Sequence, residues 1–294
     1  MVITAQAGPA DEGRKLKYFV RGDMHISYHQ YSLLKRCGGL TVNDQPAHAN
    51  YILGCGDRVR AELPETGANK TVLPEAGDVA VVYEDDDLLI IDKQAPLACQ
   101  CTPKQPTGTL ENRLMARYSH IENFVFRPLN RLDKGTSGLM AAAKHAHACQ
   151  ILQKQLHSEV FIREYEAVVE GELRGEGTID LPIAKEEAAT VRRVIDPVNG
   201  LWARTHYRAL ESDGRRTRVR LRLETGRTHQ IRVHLSAIGH PICGDFLYGS
   251  ELAELPGRFA LHSEYISLNH PISGAKIECV SPLPIQLKGL LNHD

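Results

Sequence analysis

The sequence predicts an α+β chain. Three observations carry this: apolar residues recur at helical spacing in segments such as 147–156, residues 216–223 alternate strictly, and short β-branched runs such as 88–91 are bounded by turn-forming residues. With 294 residues, 42% of them hydrophobic, the chain can bury a sizeable core in one large or two smaller domains.

After an irregular start, residues 15–20 read as a strand. Residues 28–36 carry Tyr28, Tyr31 and Leu34 or Leu33 at helical spacing, and Gly38-Gly39 stops that helix. Leu40-Thr41-Val42 and the stretch to Ile52-Leu53, joined by Asn43-Asp44, predict a short hairpin. Residues 56–63 alternate as a last strand. The Pro-, Gly- and Thr-rich stretch 64–77 reads as a linker. Residues 1–70 are therefore expected to form a small domain and 78–294 a larger one.

Beyond the linker, 78–82 and 88–91 read as strands flanking Glu84-Asp85-Asp86-Asp87. Consecutive acids point different ways, so the run is taken as a solvated turn rather than a metal site. Residues 109–118 predict a capped helix, and 147–156, with Ala148, Ile151, Leu152 and Leu156, an amphipathic one. His145 and His147 flank its start. No third ligand stands nearby in sequence, which favours a surface or capping role over metal binding.

In 216–223, Thr217, Val219, Leu221 and Leu223 share one strand face while Arg216, Arg218, Arg220 and Arg222 share the other. Those arginines are candidate phosphate contacts, with a plain solvated face as the alternative. Thr228 is expected to open a short helix with Ile231, Leu235 and Ile238 at helical spacing, ended by Gly239 and Pro241. Arg232 then lies in or near the first turn, where a cation opposes the helix macrodipole and calls for a nearby anion. Asp133 is the natural candidate.

Lys plus Arg total 35 against 36 Asp plus Glu, a formal net charge of −1, so contact with a polyanion must come from local basic patches. The seven cysteines contain no paired C-x-x-C elements and are expected to be reduced thiols of a cytoplasmic protein, with no metal and no cofactor. The first residues lack a basic start, an apolar core and a small-residue cleavage site, so neither export nor a membrane span is expected.

Residues 131–138 read Arg-Leu-Asp-Lys-Gly-Thr-Ser-Gly. Asp133 has a cation on either flank, which favours its ionised form where those charges reach it. Gly135 and Gly138 allow the loop to turn sharply and a substrate to approach. A single ionised carboxylate on a tight loop suggests a nucleophile or base, although such a string also suits an ordinary turn.

This octapeptide resembles the R-L-D-x-x-T-S-G signature of RNA pseudouridine synthases of the RluA type, which modify ribosomal and transfer RNA. The resemblance spans about residues 80–290 and implies that Asp133 is catalytic. Arg163-Glu164-Tyr165-Glu166-Ala167-Val168-Val169-Glu170-Gly171 resembles the family strand whose Tyr stacks on the target base, which gives Tyr165 that role. Gly226-Arg227-Thr228-His229-Gln230-Ile231-Arg232-Val233-His234-Leu235 is similar to the element whose last Arg pairs with the catalytic Asp and whose preceding aliphatic residue lines the pocket. Those positions are Arg232 and Ile231. Gly244-Asp245-Phe246-Leu247-Tyr248-Gly249 and Leu261-His262 with His270-Pro271 also match family strings. By analogy, Arg131 is the wedge or phosphate contact in base flipping. The chain departs from the family at Asn130, where His is usual, and in Asp92-Lys93-Gln94-Ala95-Pro96-Leu97.

The resemblance implies a mixed, mostly antiparallel sheet with flanking helices and a cleft across its middle. The N-terminal pattern resembles, more weakly, a small alpha-L RNA-binding module, with Lys35, Arg36, Arg58 and Arg60 as phosphate partners. That module favours large-subunit ribosomal RNA over transfer RNA as partner, and a monomer is expected. Pseudouridine formation breaks the N-glycosidic bond, turns the base and rejoins it through carbon, with no redox change. The competing reading is an inactive RNA-binding paralogue or ribosome-assembly factor, supported by Asn130 and the 92–97 string but opposed by Asp133, Tyr165 and Arg232 together. A hydrolase using Asp133 would commonly need a second carboxylate or a metal, and no partner stands out.

Overall fold

The computed structural model describes residues 1–64, 71–156, 158–186 and 191–291. The chain divides into two compact units, one of Met1–Ala68 with His145–Ile151, the other of Asn69–Lys144 with Leu152–Asp294. Most of the expected linker, residues 65–70, lies outside the described residues. Among the described residues no helix is long and apolar enough to cross a membrane.

The first elements in chain order are β1 (Val2–Gln6), α1 (Leu16–Gly22), α2 (Tyr28–Cys37), β2 (Leu40–Val42), β3 (Gln45–Pro46) and β4 (Arg58–Glu62). The strands form one sheet in the order β1-β4-β2-β3. Residues 15–20, expected as a strand, are instead mostly helical. Leu16, Phe19 and Val20, spaced i, i+3, i+4, are buried together while Tyr18 stays 54% exposed, so the helical period wins over the apparent alternation. The expected irregular start is β1, which pairs antiparallel with β4 from Val2↔Glu62 to Gln6↔Arg58.

α2 forms as expected. Ser27 and Gln30 close a capping box at its start, and Gly38 ends it at φ 67°. Asn43 and Asp44, at φ 50° and 64°, make the two-residue hairpin turn between β2 and β3. The second strand stops at Pro46, whose missing N–H cannot extend a ladder, rather than reaching Ile52-Leu53.

The remaining elements are β5 (Ala80–Glu84), β6 (Leu88–Lys93), α3 (Leu110–Arg117), β7 (Arg127–Pro128), β8 (Ser137–Ala143), α4 (Ala146–Gln155), β9 (Ile162–Glu170), β10 (Glu176–Asp180), β11 (Ile183–Lys185), β12 (Arg193–Ile195), β13 (Arg204–Ser212), β14 (Arg216–Leu223), α5 (Gln230–Ala237), β15 (Leu261–Asn269), β16 (Lys276–Val280) and α6 (Ile285–Lys288). Ten strands build one sheet, running β10-β13-β14-β9-β15-β8-β6-β5, with β16 on β15 and β7 on β8. Among the described strands of this sheet β15 and β8 pair in parallel and the other ladders are antiparallel. The expected α+β class and mixed, mostly antiparallel sheet are what this unit has.

Its core joins the sheet to α3 through Leu110 and Leu114, to α5 through Ile231 and Leu235, and to α6 through Leu287. α3 is capped by Thr109, whose Oγ1 accepts from the Asn112 N–H at 3.3 Å. α5 starts at Gln230 rather than Thr228, because His229 takes a left-handed conformation at φ 58°. His145 and His147 are buried, which removes the surface half of their expected role. His145 nevertheless caps: its Nδ1 accepts from the Ala148 N–H at 3.1 Å.

Candidate active site

The loop before β8 carries Asp133. A turn closes it, the Thr136 N–H donating to the Asp133 carbonyl at 3.0 Å, and Ser137 and Gly138 then enter the sheet beside His262 and Ser263 of β15. Gly138 sits at φ 105°, where an added Cβ would fall 2.3 Å from the Ser263 carbonyl oxygen. Gly135 answers a different need. A Cβ there would fall 2.7 Å from the Phe259 ring, and that ring lies under the Arg232 guanidinium, 4.2 Å from its carbon. The glycine thus admits an aromatic that holds the arginine, rather than supplying an unusual backbone angle.

Arg232, in the first turn of α5, bridges two carboxylates. Nη1 donates to Asp133 Oδ2 at 3.0 Å, while Nε and Nη2 donate to Asp245 Oδ2 and Oδ1 at 2.7 and 2.8 Å. The Asp245 side chain is wholly buried and Asp133 is 28% exposed. Burial works against the arginine's charge, and the hydrogen bonds and charges of Asp245 and Asp133 more than offset it, leaving its pKa above the ordinary arginine value. The anion expected near Arg232 is therefore present twice. Asp245 Oδ1 also accepts from the Leu247 and Tyr248 N–H groups, so the buried carboxylate fixes the turn that carries it.

His229 Nε2 lies 3.8 Å from Asp133 Oδ2, and its Nδ1 is 2.8 Å from the Tyr248 hydroxyl, which accepts from the Arg193 N–H. Burial lowers the His229 pKa, Asp133 opposing and Arg232 reinforcing, so the ring favours the neutral form. Beneath the loop, Lys93 is buried and donates to the carbonyls of Leu97 at 2.7 Å, Gln94 at 2.9 Å and Lys134 at 3.5 Å. Burial brings its pKa down to about 8. Asn130 is buried too: its Oδ1 accepts from the Ala141 N–H at 2.9 Å, while Nδ2 has no hydrogen-bond partner among the described residues.

A cavity of about 1090 Å³ opens over this arrangement. Asp133, Arg131, Tyr165, Ile231 and Arg232 all line it, so the five residues singled out from the catalytic motifs meet in one place. Tyr165, on β9, is buried, and burial raises its pKa against the opposing charge of Arg163, which keeps the phenol protonated. Arg131 is exposed. Asp245, Tyr248, Phe259, His229 and Lys93 were not assigned roles from sequence. All but Phe259 lie inside strings already noted, but what they touch depends on packing.

The basic residues separate differently. Arg216, Arg218, Arg220 and Arg222 lie on β14 away from the cavity lining, and β9 sets Glu170, Glu166 and Glu164 opposite Arg216, Arg220 and Arg222. Arg220 reaches Glu166 at 3.0 Å and Glu264 at 3.2 Å, Arg218 reaches Glu211 at 3.5 Å, and Arg216 reaches Glu170 at 3.7 Å. This face is charge-compensated by its own sheet. In the first unit Lys35 and Arg36 are exposed in the last turn of α2, whereas Arg58 pairs with Asp44 and Arg60 with Glu62.

Asp85, Asp87 and His270 bring possible metal-ligand atoms within 4.8 Å of one another. Their hydrogen bonds argue for a different role. His270 Nδ1 accepts from the Ile272 and Ser273 N–H groups, which places the proton on Nε2, and Nε2 points at Asp85 Oδ2 at 2.9 Å. A protonated nitrogen has no lone pair for a metal. Asp85 further accepts from the Tyr83 hydroxyl and from the Asp87 and Leu88 N–H groups, so the acidic run is a turn, stapled rather than merely solvated.

A family model described as RNA pseudouridylate synthase matches residues 87–237. The chain is 36% identical to "Uncharacterized RNA pseudouridine synthase YjbO" of Bacillus subtilis, over 93% of this chain and 97% of that protein. It is 39% identical to "Ribosomal large subunit pseudouridine synthase D" of Haemophilus ducreyi, over 98% of this chain and 88% of that one. Among solved structures, human RNA Pseudouridylate Synthase Domain Containing 1 superposes with a TM-score of 0.57 at 27% identity, covering 71% of this chain and 86% of that one.

Proposed function

The chain belongs to the RluA-type RNA pseudouridine synthases, which makes it an isomerase, and from that premise we propose that it converts specific uridines of large-subunit ribosomal RNA to pseudouridine. Relatives named for the large ribosomal subunit support that choice of RNA. The observation that carries the catalytic reading is Asp133, held by Arg232 and backed by buried Asp245, in one cavity with Tyr165 and Ile231.

The target base leaves its stack and enters the cavity, at a cost of a few kcal/mol that stacking offsets. Asp133 initiates, the bond from the ribose to N1 of the base breaks, the base turns, and the ribose is rejoined at C5. The C5 proton departs and N1, which bore the ribose and no proton, gains one, so the product is an isomer. Arg232 keeps Asp133 oriented and charged, Tyr165 stacks on the base, Ile231 shapes the pocket, and exposed Arg131 fills the gap in the RNA or meets its phosphate. No cofactor or metal enters this scheme. Residues 78–294 form the catalytic domain, and residues 1–70 an alpha-L-like module that meets RNA phosphates through Lys35 and Arg36. The protein works as a monomer in the cytoplasm.

The test is pseudouridine mapping of total RNA from cells lacking the gene, then complemented with wild type or Asp133→Asn. A ribosomal site that wild type restores and Asp133→Asn does not, with RNA binding by the variant within a few-fold of wild type, is the expected outcome. Appreciable turnover by Asp133→Asn would remove Asp133 from its role, and restoration of a transfer RNA site alone would change the substrate.

A further inference from the structure

The Asp133 cavity has a second aromatic in its lining that the scheme above does not use. Trp202 is the chain's one tryptophan, is 51% exposed, and lies between β12 and β13. An exposed ring alone is ordinary, but this one stands at a cavity lined by cationic side chains, where its free surface can meet a nucleobase.

Its orientation is set by the protein. The indole N–H donates to Asp180 Oδ1 at 2.9 Å. Arg204 grips Asp180 Oδ2 through Nε at 3.0 Å and Nη2 at 2.6 Å, and its guanidinium carbon lies 5.3 Å from the indole centroid. The Arg227 Nε–H donates to the Trp202 carbonyl at 3.0 Å, tying the residue to the segment that leads into α5. The nearby acids are engaged: Asp180 by Arg204, and Glu224 by Arg204 at 3.4 Å and by His206 at 2.6 Å. Exposed Arg131, Lys134 and Arg227 line the same cavity, and among the described residues no carboxylate pairs with them.

On this basis we infer that Trp202 is a stacking platform for an unpaired nucleobase flanking the target uridine, an assignment that rests on the RNA reading above. A pinned ring costs little entropy when a base lands on it. The cavity, at about 1090 Å³, exceeds the roughly 300–1,000 Å³ typical of small-ligand sites, leaving room for more than one flipped nucleoside. Stacking on an indole accepts any base, so Trp202 contributes affinity and register along the strand rather than the choice of uridine.

Because the chain has one tryptophan, its emission reports this residue alone. Wild type and Asp133→Asn are titrated with oligouridylate and with large-subunit ribosomal RNA, and pseudouridine formation is measured in parallel. Binding should quench the emission. Trp202→Leu, which keeps apolar bulk but has no π face, should raise the Kd for oligouridylate and the KM by about 5- to 150-fold, moving kcat less, and Trp202→Phe should recover most of that loss. Turnover at saturating RNA with unchanged emission, or a Leu variant that binds like wild type, overturns the platform and spares the proposed function. Quenching by ribosomal RNA that is never isomerised leaves the platform standing and overturns the function. If neither quenching nor turnover occurs, both fall.

Discussion

Arg232 carries the site at the scale of single residues, because three of its donors are divided between an interior carboxylate and a partly exposed one. The interior partner makes the outer pairing rigid: a guanidinium already bound in two places by Asp245 and backed by Phe259 presents its remaining edge to Asp133 in one direction. Asp245→Ala should therefore damage both stability and catalysis. It leaves two guanidinium donors in a buried site without an acceptor, a loss of about 3–5 kcal/mol for one partner of a buried ion pair. Denaturant unfolding reads the first effect, and kcat in an isomerisation assay under folding conditions reads the second. Unchanged stability would show that Asp245 is not the anchor. The Asp133–Arg232 pairing could be anticipated in sequence, since a cation at a helix start needs an anion nearby. Asp245 could not be chosen from the same reasoning. It lies 13 residues beyond Arg232, and only the turn after α5 brings it back.

At the scale of elements, β14 shows what alternation reveals and what it conceals. Period two assigned Thr217, Val219, Leu221 and Leu223 to one face and the arginines to the other; the first three are buried and Leu223 is half-buried at the strand's end. It says nothing about the neighbouring strand, and β9 supplies glutamates in register. Arg220→Ala should then act on the sheet and not on RNA. Glu166, 6% exposed in its side chain, loses its partner beside Glu264, and stability should fall by about 1–3 kcal/mol. The salt dependence of RNA affinity should stay as in wild type, whereas loss of a phosphate contact would reduce its log–log slope by about 1. β8 gives a second test, since it enters the sheet beside β15 only because Gly138 has no side chain. Gly138→Ala should cost several kcal/mol or prevent folding, because the contact is with backbone that cannot rotate away. A thermal melt within a degree or two of wild type would contradict that geometry. The error at residues 15–20 has the same origin as the hidden glutamates. Leu16, Phe19 and Val20 fit a helical stripe, but six residues are too few to decide between periods until a neighbouring surface is present to bury one set.

For the whole molecule the charge balance of −1 leaves no general attraction for RNA, so its solution behaviour should be set more by what is buried than by net charge. Three histidines decide one part of that behaviour. Burial, the leading cause in each, lowers the pKa of His229, His234 and His262 below the ordinary value of 6.5. Hydrogen bonds support the neutral rings: Nε2 of His234 faces the Leu181 carbonyl and Nε2 of His262 the Ser281 carbonyl, which leaves each Nδ1 to accept from Thr205 or Ser137. The folded protein therefore resists protons that the unfolded chain takes up once the pH falls below 6.5. The stabilisation is present in full above that value and is lost as the pH drops through the lowered values of the folded state. Carboxylates held low, such as Glu84 and Asp85, contribute in a separate window nearer their ordinary 4.5 and 3.8. Unfolding free energy measured from about pH 7.5 to about pH 5.5 should stay nearly level at first and then decline, as the unfolded chain takes up protons on these three rings that the folded chain resists. His262→Gln, which cannot titrate, should make that decline shallower by as much as one proton, even if the variant starts from a lower stability. A stability that holds level or rises down to about pH 5.5 would mean that the three rings accept protons in the folded state, and that their burial does not keep them neutral.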